Sequence, residues 1–328
     1  MSSNIITFLQ GESQQISQGI YVFVPGKQGH LFVNYPDGGQ RQWADQGPPP
    51  ATMCNRRPGA ITYFEGGKQL IYVFLVGENG HLYVNYWNGT QWHWADQGTP
   101  PGATVGGVPG VITYPEGGKQ RIYAFVKGAA NTQNLYVNYW DGSQWHWADQ
   151  GTPPGAPLHD PSTLYGESNP PGVITYLEGG KQRIYAFVRD YNGHLYVNFW
   201  DGAGWHWADQ GTPPGTLTSI APYPGIEPPG VITYLEGDKQ RIYAFVPGKD
   251  KHLHVNYWNG TQWNWTDQGI DVGKIQEVHG AITFVDLGSK RRIYAFARGS
   301  TSTYSGHLIV NYWDETQWNW ADYGSPYA

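Results

Sequence analysis

A repeated segment constrains this chain more than any other feature. The stretch LYVNYWDGSQWHWADQGTPPG at residues 135–155 has close copies that begin at residues 82 and 195, and diverged copies that begin at residues 31, 253 and 308. The asparagine of the VNY motif marks each copy, and successive asparagines are 51 to 60 residues apart. These six positions are Asn34, Asn85, Asn138, Asn198, Asn256 and Asn311. Six similar units in a row predict a repeat architecture.

Four short runs rich in β-branched and aromatic residues occupy each repeat. In the third repeat they are VITY, RIYAFV, LYVNYW and QWHWADQ, called strands A, B, C and D below. Turn residues end each run, and the short A–B and C–D connections suit antiparallel hairpins. The repeat length is close to that of a four-stranded propeller blade. We therefore predict an all-β fold, a six-bladed β-propeller with four antiparallel strands in each blade.

The repeats also predict the domain organisation. A repeat that cannot bury both of its faces alone has to stack on its neighbours, so one domain over residues 1–328 is favoured. The D–A connections, of 12 to 22 residues, are expected to cross from the outermost strand D of one blade to the innermost strand A of the next. The predicted blades cover about residues 5–47, 60–98, 110–151, 172–211, 230–269 and 280–324.

The sixteen tryptophans fall into two classes. One position near the end of strand D is tryptophan in every repeat, and we interpret it as packing between blades. Its members are Trp43, Trp94, Trp147, Trp207, Trp265 and Trp320. The other ten form pairs at the C–D hairpin, where we expect them to reach solvent. The pairs are Trp87 with Trp92, Trp140 with Trp145, Trp200 with Trp205, Trp258 with Trp263, and Trp313 with Trp318.

The hairpin tryptophans suggest sugar binding. An indole face offers flat apolar area to the C–H side of a pyranose and leaves the sugar hydroxyls to polar partners. Arginine is a rigid multi-donor group suited to vicinal hydroxyls. It opens strand B in four repeats, as Arg121, Arg183, Arg241 and Arg292. We therefore predict sugar sites built from both residue types. Packing of the hairpin tryptophans on a neighbouring blade is the alternative.

The whole pattern resembles a known family. The order ITY, RIYAF, GHLYVNYW, DGxxW and WxxxG, repeated over essentially the whole chain, resembles the fungal fucose-specific lectins and, less closely, the tectonin-type and bacterial propeller lectins. The resemblance implies pockets between adjacent blades, with an arginine from strand B, a glutamate from strand C and aromatic residues from the next blade's C–D hairpin. It implies that Arg121 meets Trp200 and Trp205, that Arg183 meets Trp258 and Trp263, and that Arg241 meets Trp313 and Trp318.

Strand C departs from that pattern, because Val137, Val197 and Val255 stand where the family has glutamate. The candidate substitutes are Glu116, Glu178 and Glu236 in the A–B turns, and the alternative is that these are solvated turn residues. Three clefts are expected to bind weakly or to stay empty. Two have Gly19 or Leu70 at the arginine position, and the third has Pro36 and Arg41 in place of a tryptophan pair. Fucose-containing glycans are the first choice of partner, and the sugar identity stays open.

Charge and composition argue against several other classes. The net charge is −6 and no run of Lys or Arg forms a basic stripe, so we expect no nucleic-acid partner. The longest apolar runs are too short for membrane insertion. The histidines recur about one blade apart, so we predict no metal site, and no cofactor is expected. The N-terminal residues lack signal-peptide features, so a cytoplasmic or non-classically secreted protein is expected.

Two alternatives to a lectin stay open. A propeller scaffold for protein–protein interaction would be favoured by one asymmetric apolar patch in place of repeated pockets. A propeller glycosidase needs two or three carboxylates that converge once. The acidic residues here recur with the blades, so we predict that the protein is not an enzyme. Repeated pockets predict multivalent binding of glycans or glycoconjugates, and a homodimer stays open.

Overall fold

The computed structural model describes residues 5–10, 17–37, 39–129, 132, 134–155, 158, 170–190, 192–214, 229–269, 275–286, 288–299 and 306–325. Across these ranges the secondary structure is 24 β-strands and one 3₁₀ turn at Lys27–Gly29. The strands form six four-stranded sheets, which we number as blades 1 to 6. Two compact units are distinguished: one contains blades 1 to 3, within residues 2–151, and the other contains blades 4 to 6, within residues 171–328. The single predicted domain stays a prediction.

The first unit contains twelve strands. Blade 1 is formed by β1 (Ile5–Gln10), β2 (Ser17–Pro25), β3 (Leu31–Asp37) and β4 (Gln40–Asp45). Blade 2 is formed by β5 (Gly59–Glu65), β6 (Lys68–Val76), β7 (Leu82–Trp87) and β8 (Trp92–Asp96). Blade 3 is formed by β9 (Val105–Glu116), β10 (Lys119–Gly128), β11 (Leu135–Trp140) and β12 (Trp145–Asp149).

The second unit repeats the arrangement. Blade 4 is formed by β13 (Gly172–Glu178), β14 (Lys181–Arg189), β15 (Leu195–Trp200) and β16 (Trp205–Asp209). Blade 5 is formed by β17 (Gly230–Glu236), β18 (Lys239–Pro247), β19 (Leu253–Trp258) and β20 (Trp263–Asp267). Blade 6 is formed by β21 (Ile275–Val285), β22 (Arg291–Gly299), β23 (Leu308–Trp313) and β24 (Trp318–Asp322).

Strands that are consecutive in sequence are neighbours in every sheet, and all pairs are antiparallel. The predicted blade architecture is therefore confirmed.

Two strands begin earlier than predicted: β9 at Val105 in place of about residue 110, and β21 at Ile275 in place of about residue 280. Between β8 and β9 only residues 97–104 remain, so the expected minimum length of a D–A connection is wrong there. A register shift lets the chain pass Pro109, which has no N–H to donate, and resume pairing with β10.

The turns follow from glycine and asparagine chemistry. In blade 2 the A–B turn places Gly66 at φ 57° and Gly67 at φ 75°, the two left-handed positions of a type I′ hairpin. In blade 3 the A–B and C–D turns lie side by side, since a Cβ atom placed on Gly142 of the C–D turn would come within 2.6 Å of Lys119 Cδ beside the A–B turn. These two turns therefore share one end of the blade.

Tryptophan joins consecutive blades within each unit. The indole N–H groups of four strand-D tryptophans donate to the backbone carbonyl of a glutamine in the preceding blade, at 2.6 to 3.1 Å. The pairs are Trp94 with Gln46, Trp147 with Gln97, Trp265 with Gln210, and Trp320 with Gln268. The predicted packing role is confirmed for these four. For Trp43, whose preceding blade in the ring would belong to the other unit, the role stays a prediction.

Strand A is where consecutive blades of a unit approach most closely. A Cβ on Gly172 would lie 2.6 Å from the carbonyl oxygen of Pro229 in blade 5, so only glycine allows this approach. Buried side chains of strands A, B and C fill the space between consecutive blades. For example, Ile174 and Phe187 of blade 4 share a core cluster with Val231 and Ile242 of blade 5. In the described ranges no helix has the length and apolar character needed to cross a membrane.

Candidate functional site

A row of aromatic rings crosses one face of each of blades 2 to 6 from strand A to strand C. In blade 5 the ring centroids of Tyr234 and Tyr243 are 6.0 Å apart, and those of Tyr243 and Tyr257 are 5.8 Å apart. Such cross-strand pairs stabilise a sheet. Burial raises the pKa of Tyr234, as does its hydrogen bond with Tyr243. We call this row, with its counterparts in the other blades, the tyrosine ladder. It is an uncharged surface at neutral pH.

The C–D hairpin of the next blade packs over the ladder. The ring of Trp318 in blade 6 lies 5.8 Å from Phe245 and 6.4 Å from Tyr243 in blade 5. The two rings of the pair, Trp313 and Trp318, are 5.7 Å apart and tilted by 53°. The same arrangement recurs between blades 4 and 5, where Trp263 meets Phe187 at 5.8 Å. Each such cleft therefore has one wall of tyrosine and one wall of tryptophan.

The hairpin tryptophans are less exposed than expected. All ten are partly buried. The second member of a pair meets a phenylalanine of the preceding blade almost edge-on, also in the first unit, where Trp92 lies 6.0 Å from Phe23 and Trp145 lies 5.8 Å from Phe74. These residues reach solvent only in part, because the hairpin folds back onto the neighbouring blade. Packing between blades is therefore one role of these residues, and ligand contact stays a prediction.

An arginine–glutamate ion pair stands at the turn end of the ladder. Arg183 Nε donates to Glu178 Oε2 at 2.9 Å, and Arg241 Nε donates to Glu236 Oε2 at 2.8 Å. The arginine side chains are only 21% and 20% exposed, whereas the glutamates are 52% and 59% exposed. Blade 3 repeats the pair with Arg121 and Glu116 at 3.0 Å. The turn glutamates are therefore partners of the arginines rather than isolated solvated residues.

For two of the three predicted arginine–tryptophan sites, the tyrosine ladder beside the arginine shares a core cluster with the tryptophan pair of the next blade. Arg183 and Tyr185 alternate onto the same face of β14, and the ladder of blade 4 packs on the cluster that also holds Trp258 and Trp263. Arg241 has the same relation to the ladder of blade 5, whose cluster includes Trp313 and Trp318. Arg121 belongs to one compact unit, and Trp200 and Trp205 belong to the other. That third pairing stays a prediction.

The strand-C position at which the lectin family has glutamate is buried in this protein. Val137, Val197 and Val255 are each 1% exposed and belong to the core. A carboxylate is instead available beside each arginine from the A–B turn, as Glu116, Glu178 and Glu236. A sugar in these clefts would therefore find the acidic acceptor at the turn and not on the strand.

A pocket of about 300 Å³ lies between blades 1 and 2. Half of its lining residues are aromatic, namely Tyr21, Tyr35, Trp87 and Trp92. This is the cleft with buried Gly19 at the arginine position, and its expected weak binding stays a prediction. The tyrosines that line these clefts were not among the predicted site residues. The sequence does mark them, since strand B carries a tyrosine at the same place in every repeat.

The repeated Asp of WADQG has a structural role, as predicted. Asp322 Oδ1 accepts the N–H of Gly324 at 2.7 Å, and its other oxygen lies 2.9 Å from His307 Nδ1. The Gly324 N–H and the histidine hold the pKa of Asp322 below its usual value. The same pairing joins His30 to Asp45 at 2.9 Å. These histidines secure the start of strand C to the end of strand D.

Known structures share this architecture, although no protein-family model and no curated protein sequence matches the chain. AofleA from Arthrobotrys oligospora has 13% identity and a TM-score of 0.60, with 98% of this chain and 86% of that chain covered. The lectin of Aleuria aurantia, described as a six-bladed β-propeller, has 14% identity and a TM-score of 0.57, with 99% and 97% covered. This chain has the six-bladed β-propeller fold.

A third structure, the SapL1 lectin in complex with alpha methyl fucoside, has 17% identity and a TM-score of 0.55, with 94% of each chain covered. The fungal lectins resembled by the sequence motifs are thus among the structural neighbours. At such low identities the likeness establishes the fold. What this chain binds has to be argued from its own residues.

Proposed function

We propose that the protein is a multivalent carbohydrate-binding protein with sugar pockets between adjacent blades, and that its ligands are fucose-containing glycans. One observation carries the proposal. The ladder of one blade, with an Arg–Glu ion pair at its end, faces the tryptophan pair of the next blade, and this occurs twice in the second unit. Apolar rings beside fixed charged donors are the two components that a pyranose requires.

The ion pair gives the arginine a defined orientation. Because Arg183 Nε is bound to Glu178, the guanidinium is held in one orientation, and its remaining N–H groups can donate to adjacent hydroxyls. The half-exposed carboxylate of Glu178 can accept from a third hydroxyl. The rings of Tyr185 and Trp258 supply the apolar surface for the C–H side of the sugar. No covalent chemistry is required of these groups, in keeping with a binding protein.

Two further points favour fucose and a lectin. The Aleuria aurantia lectin is described as having a novel fucose recognition mode, and the SapL1 lectin was crystallised with alpha methyl fucoside. A protein-binding scaffold would be favoured by a single apolar patch. Four of the exposed apolar residues found here instead share one repeat position at the end of strand A, as Phe64, Leu177, Leu235 and Val285. This distribution matches repeated pockets better.

Titration calorimetry with methyl α-fucoside tests the proposal. The variant R183A/R241A removes the donors of two clefts and should abolish most of the heat of binding. R292A is the matched control, because Arg292 makes an equivalent ion pair with Asp286 at 2.9 Å, but its predicted partner hairpin has Pro36 and Arg41 in place of a tryptophan pair. It should leave binding unchanged. Equal binding by wild type and R183A/R241A, or no binding of any monosaccharide in a panel by wild type, would overturn the proposal.

A further inference from the structure

Blade 5 contains a cluster of histidine and aspartate that is separate from the sugar clefts. His254 Nε2 lies 2.9 Å from Asp250 Oδ2, and His252 Nδ1 lies 2.9 Å from Asp267 Oδ2. One ligand atom from each of Asp250, His254 and Asp267 falls within 4.8 Å of the other two. The cluster joins the B–C turn to the end of strand D, whereas the arginines lie at the A–B turn, at the other end of the blade.

Comparison with blade 2 shows that this cluster is specific to blade 5. Blade 2 has the same histidine–aspartate pair, His81 with Asp96 at 3.0 Å. It has Asn79 where blade 5 has Asp250, and Tyr83 where blade 5 has His254, and the amide of Asn79 donates to the Tyr83 hydroxyl at 2.9 Å. Both differences replace a neutral hydrogen-bonding group by a metal-binding one. This cluster was not predicted from the sequence, because only the histidine before strand C recurs from blade to blade and His254 does not belong to that recurring set.

The environment of His254 is unusual for a structural histidine. The residue is 0% exposed, and in the part of the chain that the structure describes its Nδ1 atom has no hydrogen-bond partner. Its Nε2 atom points at the carboxylate of Asp250. A buried imidazole that is fully satisfied by protein groups would have partners at both nitrogens. On the other side of the ring, Nε2 and the carboxylates of Asp250 and Asp267 converge, which is an arrangement that a divalent cation stabilises.

We propose that Asp250, His254 and Asp267 bind one divalent transition-metal ion of the zinc type. Imidazole nitrogen together with carboxylate oxygen is a ligand set that zinc accepts at about 2.0 to 2.2 Å, whereas calcium and magnesium prefer oxygen alone. His252 acts as a positioning residue, since it holds Asp267 as outer partners hold ligating carboxylates. Small movements of these side chains from their present hydrogen-bonded distances would bring the three ligand atoms around one ion.

Such an ion would strengthen the connection between two blades. Lys251, within the same turn, accepts a hydrogen bond from Ile275 N–H at 2.8 Å, where β21 of blade 6 begins. Binding to the folded state and not to the unfolded chain raises stability through mass action. The ion is therefore expected to stabilise blade 5 without entering the sugar clefts, so the proposal is independent of the lectin function.

Zinc titration of the whole protein, after treatment with a chelator and buffer exchange, tests the site. Calorimetry should give one zinc ion per chain, and the melting temperature should rise by several degrees with zinc but not with magnesium or calcium. The variant D250N/H254Y carries the residues of blade 2, so it should fold. We expect it to lose affinity by at least about 100-fold, since losing an outer partner alone costs about 10- to 100-fold.

A matched control separates this cluster from the repeated histidine–aspartate pairs. H81Q removes the corresponding histidine of blade 2 and should leave zinc affinity and stoichiometry unchanged. Folding of each variant is checked by circular dichroism. Three results would overturn the proposal: wild type that binds no zinc, D250N/H254Y that binds zinc like wild type, or H81Q that loses the zinc heat. Retention of sugar binding by D250N/H254Y would show that the two functions fail separately.

Discussion

The indole N–H of Trp147 donates to the backbone carbonyl of Gln97, 2.8 Å away in the preceding blade. Gln97 follows strand D of blade 2, so this bond ties the outer strands of two sheets whose contact is otherwise made by side-chain packing. Trp94, Trp265 and Trp320 make the same bond. The residue thus supplies buried ring area and satisfies a backbone acceptor at each junction.

Replacing Trp147 should therefore destabilise the protein strongly. We expect Trp147→Ala to lower the free energy of unfolding by about 3 to 5 kcal/mol, the range for removing a large buried aromatic ring. Trp147→Phe keeps most of the ring and should lose about 1 kcal/mol for the hydrogen bond. Urea denaturation measures both. Phe64→Ala is the control, since that aromatic side chain is 57% exposed, and a loss as large as that of Trp147→Ala would contradict this assignment.

The hairpin tryptophans are expected to affect stability as well as binding. Trp263 packs edge-on against Phe187, so Trp263→Ala should lower the free energy of unfolding by up to about 3 kcal/mol and should also weaken sugar binding. Trp263→Phe keeps part of the contact and should recover stability more than binding. Thermal unfolding and calorimetry distinguish the two effects. An unchanged melting temperature for Trp263→Ala would restore the simpler view that the hairpin only serves the ligand.

Much of the fold was predictable because it is repeated. The six VNY asparagines gave the number of blades, and the glycine of EGGKQ and DGSQ gave the hairpins, since these turns need left-handed backbone. The start of β9 was missed because VGGVPG reads as a loop, although the strand bypasses Pro109 by a register shift. Local composition cannot show that a proline N–H is not needed in the ladder.

The site was less predictable than the fold. Arg183 and Arg241 were found because they recur, and Glu178 and Glu236 because they share a turn with them. The ladder tyrosines, such as Tyr243, were overlooked because a β-rich aromatic run predicts burial and gives no sign of which face lines a cleft.

Acid should unfold the protein in part through the hairpin aspartates. Hydrogen bonds from Ser143, from Gln144 N–H and from His146 hold the pKa of Asp141 well below its ordinary range, and Thr316 and Gln317 do the same for Asp314. A carboxyl with a lowered folded-state pKa contributes stability that is complete above the unfolded pKa of about 3.9 and is lost as the pH falls further. We therefore expect the melting temperature to fall steeply below about pH 4.

The variant D141N/D314N tests this directly, because blade 2 naturally has Asn88 at that position and forms the same turn, with Asn88 Oδ1 accepting from Thr90 N–H at 2.9 Å. The asparagines do not titrate. The difference in melting temperature between pH 7 and pH 3 should therefore be smaller for this variant than for wild type. An identical difference would show that other carboxylates dominate acid unfolding.

The number of strong sugar sites should be near three per chain. Arg121, Arg183 and Arg241 supply charge-assisted donors, and each has the turn glutamate that fixes its orientation. The cleft between blades 1 and 2 has the aromatic wall of Tyr21 and Trp87 without an arginine, so it should bind more weakly. Calorimetry with a monovalent sugar should give a stoichiometry near three, and R121A/R183A/R241A should stay folded and lose agglutination, because avidity depends on several sites together. A stoichiometry of four that falls to three in Trp87→Ala would show that the aromatic walls alone suffice. A stoichiometry of one would indicate a single central site of the kind an enzyme uses, since six similar blades offer no reason for only one inter-blade cleft to bind.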